Sequence, residues 1–377
     1  MNIPILYDSS YEKDSVWGGM LQSAIAKALL EKKYTSTIID PTTYQSFDYD
    51  TLFSNLPRLL LVVASDRIWL EEAFCFFSTH DIQIVLVDSY PFAHPCIRGQ
   101  VDCDHNQDIE TILTLFEQCG CHRTALYGVL PTSSADYRKK LYFEQAMERR
   151  HIESPSTLCF ANTTGLRDCY QIFHSRIEEF DSVICVNGFA AATLMLQLTA
   201  DGFSVPEDIQ IVTFGGVRLS DFSSTPISVM VTDTSIMAQH AVLTYRYLYN
   251  NHHFSGRINA LIPGELTIRE STKVLDAEPP AVMPPSSSEE TSPYFFNNDK
   301  DVQYLVKFEK LLVSCDSIDT QILKQLCNGN SYEKMSQSLH LSKNAVYYRI
   351  KRMKDIVEIG SIEEFREFLA RRDDYIG

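Results

Sequence analysis

Short apolar runs alternate with helical stretches over the first 270 or so residues, and this alternation restricts the fold more than any other feature of the chain. Runs such as Leu59–Ala64 (LLLVVA) and Ile82–Val87 (IQIVLV) are almost entirely apolar. Strands of this kind are buried on both faces, as in parallel sheets that are covered by helices. The pattern therefore predicts an α/β fold built from parallel sheets.

The alternation occurs twice, which predicts two Rossmann-like lobes. The first set has strands at Ile3–Tyr7, Thr35–Ile39, Leu59–Ala64 and Ile82–Val87, with helices at Gly18–Lys32 and Leu70–Phe77. The second set has strands at Ala125–Leu130, Ser156–Phe160, Val183–Val186 and Ile209–Phe214, with helices near Tyr137–Arg150, Leu166–Glu179 and Ala190–Asp201. Each set is large enough for its own sheet, and right-handed crossovers would place helices on both faces. Ligands of such folds bind beyond the carboxyl ends of the strands.

The composition changes sharply after residue 273. Residues 274–298 contain five prolines and a cluster of Ser and Glu, a composition that cannot build a core. We interpret this stretch as a partly extended linker. It divides the chain into a two-lobed domain at 1–273 and a small all-α domain at 299–377.

The second domain has the pattern of a helix-turn-helix. Helices are predicted at 299–313, 319–327, 332–339, 343–357 and 361–371. Gly329 suits a left-handed helix end, and Ser331 and Ser342 can cap the helices that follow them. Two short helices, a tight turn at His340-Leu341 and a longer polar helix make a helix-turn-helix at about 319–357.

The charge distribution agrees with a DNA-binding role for this domain alone. The chain has 33 Lys and Arg against 49 Asp and Glu, a net charge of −16, which argues against a protein that coats nucleic acid non-specifically. From residue 299 onward, however, basic and acidic residues are equal in number. Residues 342–354 carry five basic side chains and no acidic one, the local excess that a helix needs in order to meet phosphates.

The predicted fourth helix would bury Val346, Ile350, Met353 and Val357 and turn its polar face outward. Asn can bond adenine through two hydrogen bonds, Lys can reach guanine, and Tyr can donate to phosphate. The candidate DNA-binding residues are Ser342, Lys343, Asn344, Tyr347, Tyr348, Lys351 and Arg352.

The segment NGNSYEKMSQSLHLSKNAVYYRIKRMKDIV, residues 328–357, resembles the helix-turn-helix of the LuxR/NarL class of bacterial regulators. The Gly-x-Ser pair, the Leu-x-Leu-Ser turn and the Ala-Val start of the longer helix carry the resemblance. NAVYYRIKRM also resembles the C-terminal helix-turn-helix of PucR-type regulators, so the subfamily stays open. The alternative is a solvated basic helix in a bundle that does not bind DNA.

A second resemblance lies in the body of the chain. Residues 183–216 (VICVNGFAAATLMLQLTADGFSVPEDIQIVTFGG) contain a strand end, a helix, a Gly-Phe-x-Val-Pro-Glu-Asp turn and another strand. This order resembles the periplasmic-binding-protein-like, sugar-binding domain of the LacI/GalR repressors. Gly120-x-His122-Arg123 resembles that family's Gly-His-Arg turn, and residues 268–272 (IREST) resemble its closing Arg-Glu-Ser-Thr. The resemblance covers about residues 3–272 and implies a sensor that dimerises and closes on an effector.

The family's ligand-contacting positions carry over to six residues, which are Ser9, Ser10, Trp17, Asp104, Arg138 and Asn187. For three of these residues a structural role without a ligand is an alternative. Trp17 can be core packing, Arg138 can pair with nearby acids, and Asn187 can serve only as a helix cap.

The chain also departs from the family. The family's Asn-Asp is Asn187-Gly188 here, and its Gly-x-Asp-Asp is replaced by residues 213–216, TFGG. The acidic group that accepts hydrogen bonds from sugar hydroxyls in that family is therefore absent, and a site that lacks such an acceptor loses much of its selectivity. The effector is sugar-like only if other polar groups replace the missing acidic group. The alternatives are a different small ligand, a peptide, a protein partner or a degenerate cleft that binds no ligand.

These features together predict a cytosolic, homodimeric transcriptional regulator that binds operator DNA and a small-molecule effector. The family's N-terminal helix-turn-helix is expected to be missing, since the first strand already begins at residue 3. Residues 1–15 lack the basic start of a signal peptide, and no apolar run reaches the length of a membrane span.

Other classes of function find less support in the sequence. We expect no cofactor and no enzyme activity, because a P-loop, a GxSxG motif and a GxGxxG motif after a strand are all missing. A response regulator phosphorylated on Asp66 is an alternative, although the acidic pair after its first strand is missing. We also expect no metal, since Cys119, Cys121 and His122 match structural zinc spacing poorly.

Overall fold

Two six-stranded sheets form the body of the molecule. The computed structural model describes residues 1–8, 15–54, 56–215, 225–273 and 300–371, and the structural statements below concern these residues. The two-lobed α/β prediction is confirmed, with a helical bundle at the C-terminal end.

The elements alternate along the chain as the sequence predicts. The strands are β1 (Asn2–Tyr7), β2 (Thr35–Ile39), β3 (Leu59–Val63), β4 (Gln83–Val87), β5 (Ile97–Cys103), β6 (Thr124–Val129), β7 (Cys159–Ala161), β8 (Ser182–Cys185), β9 (Gln210–Phe214), β10 (Ser228–Val231), β11 (Ile258–Ile262) and β12 (Glu265–Thr267). The helices are α1 (Val16–Glu31), α2 (Tyr49–Leu52), α3 (Arg67–Thr79), α4 (His105–Gln118), α5 (Ser134–Arg149), α6 (Leu166–His174), α7 (Gly188–Ala200), α8 (Thr234–Asn250), α9 (Lys300–Ser314), α10 (Ser317–Cys327), α11 (Tyr332–Ser338), α12 (Lys343–Ile356) and α13 (Ile362–Ala370).

Each sheet defines one lobe. Lobe 1 has the strand order β11-β5-β4-β3-β1-β2 and lobe 2 the order β12-β10-β9-β8-β6-β7. All neighbouring strands are parallel except β10 and β12, which are antiparallel. The core strands are buried on both faces, as the runs in β3 and β4 predict.

The chain passes between the lobes three times, from β5 to α4, from β10 to α8 and from β11 to β12. Helix α8 follows the strands of lobe 2 but packs on the sheet of lobe 1 beside α1. The Tyr245 hydroxyl of α8, for example, donates to the backbone oxygen of Leu59 at 2.9 Å. Three crossing segments make a hinge that leaves the carboxyl ends of both sheets facing one cleft.

Two predicted elements differ from the structure in lobe 2. The strand expected at 156–160 is shifted to β7, because Pro155 begins a 3₁₀ turn that runs to Leu158. The helix expected at 166–179 ends at His174 and is followed by a 3₁₀ turn at Ile177–Glu179. Both differences lie at element ends, where sequence patterns are weakest.

The helical bundle has the core that its sequence predicts. Val346, Ile350, Met353 and Val357 are at most 1% exposed and pack with the apolar faces of α9, α10 and α13. The Oγ atoms of Ser331 and Ser342 cap α11 and α12, and Gly329 takes a left-handed φ of 71° after α10. No helix within the described ranges is long and apolar enough to cross a membrane.

Candidate functional site

A cavity of about 170 Å³ lies between the lobes at the carboxyl ends of their strands. Its walls combine polar groups from both lobes with an apolar side formed by Val186, Phe214 and Met230. Pockets for small molecules are usually larger, at about 300–1,000 Å³. The cleft as it stands therefore suits a small, compact ligand.

Lys139 supplies the cationic group of this cavity. Its Nζ donates to Asp136 Oδ1 and to the backbone oxygen of Val186, both at 3.0 Å. The same nitrogen lies 5.4 Å from the centre of the Phe214 ring, within the range of a cation–π contact. Two hydrogen bonds leave one ammonium proton, so Lys139 can donate to a ligand without giving up either bond.

Trp17 and Asn187 both line the cavity, which is where the family resemblance places them. Trp17 also packs partly against the lobe 1 core, which is the simpler explanation that the sequence offers for it. Asn187 Oδ1 accepts the backbone N–H of Ala190 at 2.9 Å and caps α7. Its amide nitrogen is not used by the cap and can still donate to a ligand.

Asp88 of lobe 1 and His105, at the start of α4 in lobe 2, also line the cavity. Asp88 directly follows β4 at a positive φ of 94°, is 3% exposed and accepts the N–H of Ser89 at 2.6 Å. Burial, together with Lys139 and Arg138, lowers the pKa of His105 well below its usual range, so the ring is neutral. Its buried Nδ1 forms no hydrogen bond within the described chain and lies 3.8 Å from Asp108 Oδ2.

Asp108 is the second unusual group beside the cavity. Its Oδ1 accepts the N–H of Gly264 at 2.8 Å, at the third crossing between the lobes. Burial raises the pKa of Asp108 to about 7, and the nearby carboxylates of Asp104 and Asp102 add to the increase. This carboxyl group therefore changes charge near neutral pH.

This pKa predicts how stability depends on pH. A carboxyl whose folded-state pKa lies above its usual value binds protons more readily in the folded chain, so its contribution to the free energy of unfolding falls as pH rises from about 4 to about 7. Asp108→Asn removes the titrating carboxyl, so the free energy of unfolding should fall less with rising pH and the melting temperature at pH 8 should be higher than in the wild type. Differential scanning calorimetry between pH 5 and 8 measures the melting temperature of both proteins. The exposed Asp168→Asn is the matched control, and equal slopes for wild type and Asp108→Asn would contradict the assignment.

Two other predicted ligand residues do not line the cavity. Asp104 is the N-cap of α4 and accepts the N–H of Gln107 at 3.1 Å. Arg138 forms an ion pair with the buried Asp102 at 2.6 Å and donates to the backbone oxygen of Tyr90 at 3.0 Å. Its guanidinium group also lies over the ring of Tyr142. Arg138 thus joins lobe 2 to lobe 1. The remaining two predicted residues, Ser9 and Ser10, lie outside the described residues.

Backbone hydrogen bonds also join the lobes directly. The N–H of Ser134 donates to the Ser65 oxygen at 2.9 Å, and the N–H of Arg67 donates to the Thr132 oxygen at 3.0 Å. The lobes are therefore in contact beside the cavity, in a closed arrangement.

Sequence reasoning missed Lys139, Asp88, His105 and Asp102. Asp88 follows an apolar strand directly, so its position at a strand end was a signal for the site. Asp102 was detectable as the one acidic residue inside the β5 strand. Lys139 and His105 had no comparable signal, because only the folded helices turn them toward the cavity.

A larger cavity of about 500 Å³ lies at the opposite edge of the lobe 1 sheet, near Arg58, Gln83 and Arg98. The smaller cavity is the better candidate for the ligand site, because polar groups of both lobes converge there and because ligands of these folds bind at the carboxyl ends of strands. Volume alone does not identify a site.

The outer face of α12 is the second candidate site. Lys343, Asn344, Tyr347, Tyr348 and Lys351 are all exposed, with 54% of Tyr347 and 68% of Tyr348 accessible. Within the described part of the chain, Lys351 has no ion-pair partner, whereas Lys343 bonds Glu333 of α11. Ser342 uses its hydroxyl as the α12 cap, at 3.1 Å from the N–H of Ala345.

Arg352, also predicted to bind DNA, is tied to the bundle instead of projecting freely. It bonds the fully buried Asp319 and donates to the Ser314 oxygen at 3.2 Å. Arg349 bonds Asp319 at 2.8 Å as well, and also Asp316 at 2.8 Å. These two arginines therefore fix α12 to α10, while half of the Arg352 side chain remains accessible at 52% exposure.

Comparison with known proteins agrees with the two-lobed fold. Residues 114–272 match the family model of a periplasmic binding protein-like domain. The chain is 24% identical over 145 residues to the NTD biosynthesis operon regulator NtdR of Bacillus subtilis (strain 168). That alignment spans 38% of this chain and 44% of NtdR, so less than half of the relative is covered.

Solved structures show the same fold. The complex of the transcriptional regulator CelR with cellobiose superposes with a TM-score of 0.59 at 14% identity, covering 72% of this chain and 84% of that one. The lac repressor dimer bound to operator and the anti-inducer ONPF gives a TM-score of 0.59 at 14% identity, covering 72% of this chain and 94% of that one. In the described residues, no group of three or more His, Cys, Asp or Glu is placed to bind a metal.

Proposed function

We propose that this protein is a transcriptional regulator whose cleft binds a small effector and whose C-terminal domain, residues 299–377, binds DNA through α12. The observation that carries the proposal is the asymmetry of α12. Its inner face is fully buried in the bundle, while its outer face presents two lysines, an asparagine and two tyrosines to solvent. A helix of this kind fits the major groove.

The two-lobed domain supplies the sensor in this proposal. CelR is bound to cellobiose in the structure that this chain resembles, and the lac repressor there is a dimer on operator DNA. We infer that this chain likewise acts in the cytoplasm as a homodimer that presents two copies of α12. The acidic group that binds sugar hydroxyls in the resembled family is missing at residues 213–216, and the cavity is small. The effector is therefore a compact polar molecule that Lys139 and Asn187 bind.

A gel-shift titration tests the DNA-binding part of the proposal. The probe is a duplex selected from a random library by the wild-type protein. Lys343→Ala with Lys351→Ala should raise the dissociation constant about 100-fold, since each contact contributes about 1–3 kcal/mol. The slope of log affinity against log salt should fall by about 1 for each lysine that meets a phosphate.

Lys27→Ala with Lys32→Ala is the matched control. It removes two exposed positive charges from α1 and its end in lobe 1, and it should leave affinity within about twofold, because long-range charge is screened at physiological salt. Failure of the wild type to enrich any duplex would overturn the proposal. Equal affinities for the α12 double variant and the control would remove α12 from the interface.

A further inference from the structure

The apolar core of the helical bundle continues onto the two-lobed domain. Phe189 and Ala192 of α7 are each 7% exposed and belong to the same buried cluster as Leu305 and Phe308 of α9. Their burial therefore depends on the C-terminal domain, even though both residues belong to lobe 2. This contact is a surface of the two-lobed domain that α9 covers.

Both lobes contribute to this surface. Val16 of α1, in lobe 1, and Leu196 of α7, in lobe 2, also pack against the cluster. Val306 of α9 packs against the bundle core and the lobe 2 core together. An ion pair between Arg167 of α6 and Asp301 of α9 lies at the edge of the contact. Helix α9 thus spans from one lobe to the other.

The same surface adjoins the ligand cavity on each side. In lobe 1, Val16 stands between Ser15 and Trp17, which both line the cavity. In lobe 2, Phe189 comes two residues after Asn187, which lines the cavity and caps α7. Val16 and Phe189, which meet α9, therefore lie in the same first turns of α1 and α7 as the residues that would meet a ligand.

We propose that α9 docks on a composite surface, formed by Val16, Phe189, Ala192 and Leu196, that exists in full only when the two lobes are closed. Docking of the C-terminal domain and closure of the cleft then stabilise each other. The inference deepens the proposed function, on which it rests, by naming how an effector in the cleft controls the DNA-binding domain.

The coupling follows from the geometry. Hinge opening separates the first turn of α1 from that of α7, so α9 cannot keep both contacts in an open state. An effector that closes the lobes would strengthen docking, and docking would strengthen effector binding by the same factor. The outer face of α12 remains exposed in the docked state, so docking orients the DNA-binding domain and does not cover it.

Hydrogen–deuterium exchange of the full-length protein tests the coupling without DNA or effector. The amides of Arg67 and Ser134 are hydrogen-bonded across the lobes, so their exchange reports opening of the cleft. Phe189→Ala weakens only the lobe 2 side of the docking surface. It should accelerate exchange at these two amides and in α9 by about fivefold or more, the usual lower end of coupling between sites.

Two comparisons make the result specific. Ile172→Ala changes an exposed apolar residue of lobe 2, on α6, and should leave all three reporters unchanged. Arg167→Asp should act as Phe189→Ala does but more weakly, and adding Asp301→Arg should restore slow exchange. Restoration by the swapped pair excludes simple misfolding of α6.

Two results would overturn the proposal. If α9 exchanges faster in Phe189→Ala while Arg67 and Ser134 do not, docking is independent of closure. If neither changes, α9 is not docked on this surface. Because the measurement uses neither DNA nor effector, a failure here is distinct from a failure of the gel-shift test.

Discussion

Arg138→Ala is expected to lower the free energy of unfolding by about 3 kcal/mol at pH 8, because it leaves a buried carboxylate without its counter-charge. Asp102 is 0% exposed and bonds Arg138 at 2.6 Å, Ser89 at 2.5 Å and Gln100 at 3.2 Å. Burial raises the pKa of Asp102 to about 6, and Arg138 opposes that increase. Loss of the arginine removes the largest favourable charge interaction of the site.

The sign of the pH effect follows from this pKa. A protonated Asp102 needs no counter-charge, so the loss from Arg138→Ala should be smaller at pH 5 than at pH 8. Adding Asp102→Asn to the variant should recover part of the stability at pH 8. Urea denaturation at both pH values measures these differences.

The matched control is Arg123→Ala, which removes an exposed arginine paired with Asp181 in lobe 2. Surface pairs contribute about 0–1 kcal/mol, so this variant should change little. A loss from Arg138→Ala no larger than that of Arg123→Ala would show that the pair with Asp102 is not the main inter-lobe tie. In that case Arg138 would again be available for a ligand.

Asp319→Ala is expected to destabilise the helical bundle by about 3 kcal/mol, at the low end for a broken buried pair, because both of its arginine partners are partly solvated. The Asp319 side chain is 0% exposed, whereas those of Arg349 and Arg352 are 29% and 52% exposed. Its Oδ2 also accepts the N–H of Asp316 at 3.1 Å in the capping box of α10. The substitution removes that bond and both ion pairs.

Thermal unfolding followed by circular dichroism should show the bundle of Asp319→Ala melting before the two-lobed domain. DNA binding should weaken in parallel, since α12 loses its tie to α10. Glu367→Ala, an exposed acid on α13, is the control and should melt as the wild type does. A single unchanged transition for Asp319→Ala would contradict the role given to this carboxylate.

The fold could be predicted from the sequence because its strands are buried on both faces and therefore appear as continuous apolar runs. Thr35–Ile39 was located to the residue, and β3 and β4 to within one residue at each end. The helices of the bundle were found with their caps, since Ser331 and Ser342 sit where apolar periodicity begins. Local signals of this kind depend on near neighbours in the chain.

The candidate site was harder to predict because its contacts join residues that are far apart in the sequence. The sequence placed Trp17 and Asn187 at strand and helix ends facing the cleft, where the structure also has them. It chose Asp104 over Asp102, since Asp104 matches the lobe-crossover aspartate of the family that the chain resembles. Nothing local indicates that Arg138 finds Asp102 across the cleft, 36 positions earlier in the chain.

The late position of α8 and β11 has a consequence for synthesis on the ribosome. Strand β11 completes the lobe 1 sheet by pairing with β5, yet Ile262 comes 159 positions after its partner Cys103. At translation rates of about 5–20 residues per second, lobe 1 waits roughly 10–30 s for its last strand. During that interval the five parallel strands of lobe 2 emerge as one contiguous block. At that stage lobe 2 lacks only its three-residue edge strand β12, whereas lobe 1 lacks both β11 and the core helix α8. Lobe 2 is therefore expected to build its core first, and the nascent lobe 1 sheet is the part of the chain most in need of chaperone protection.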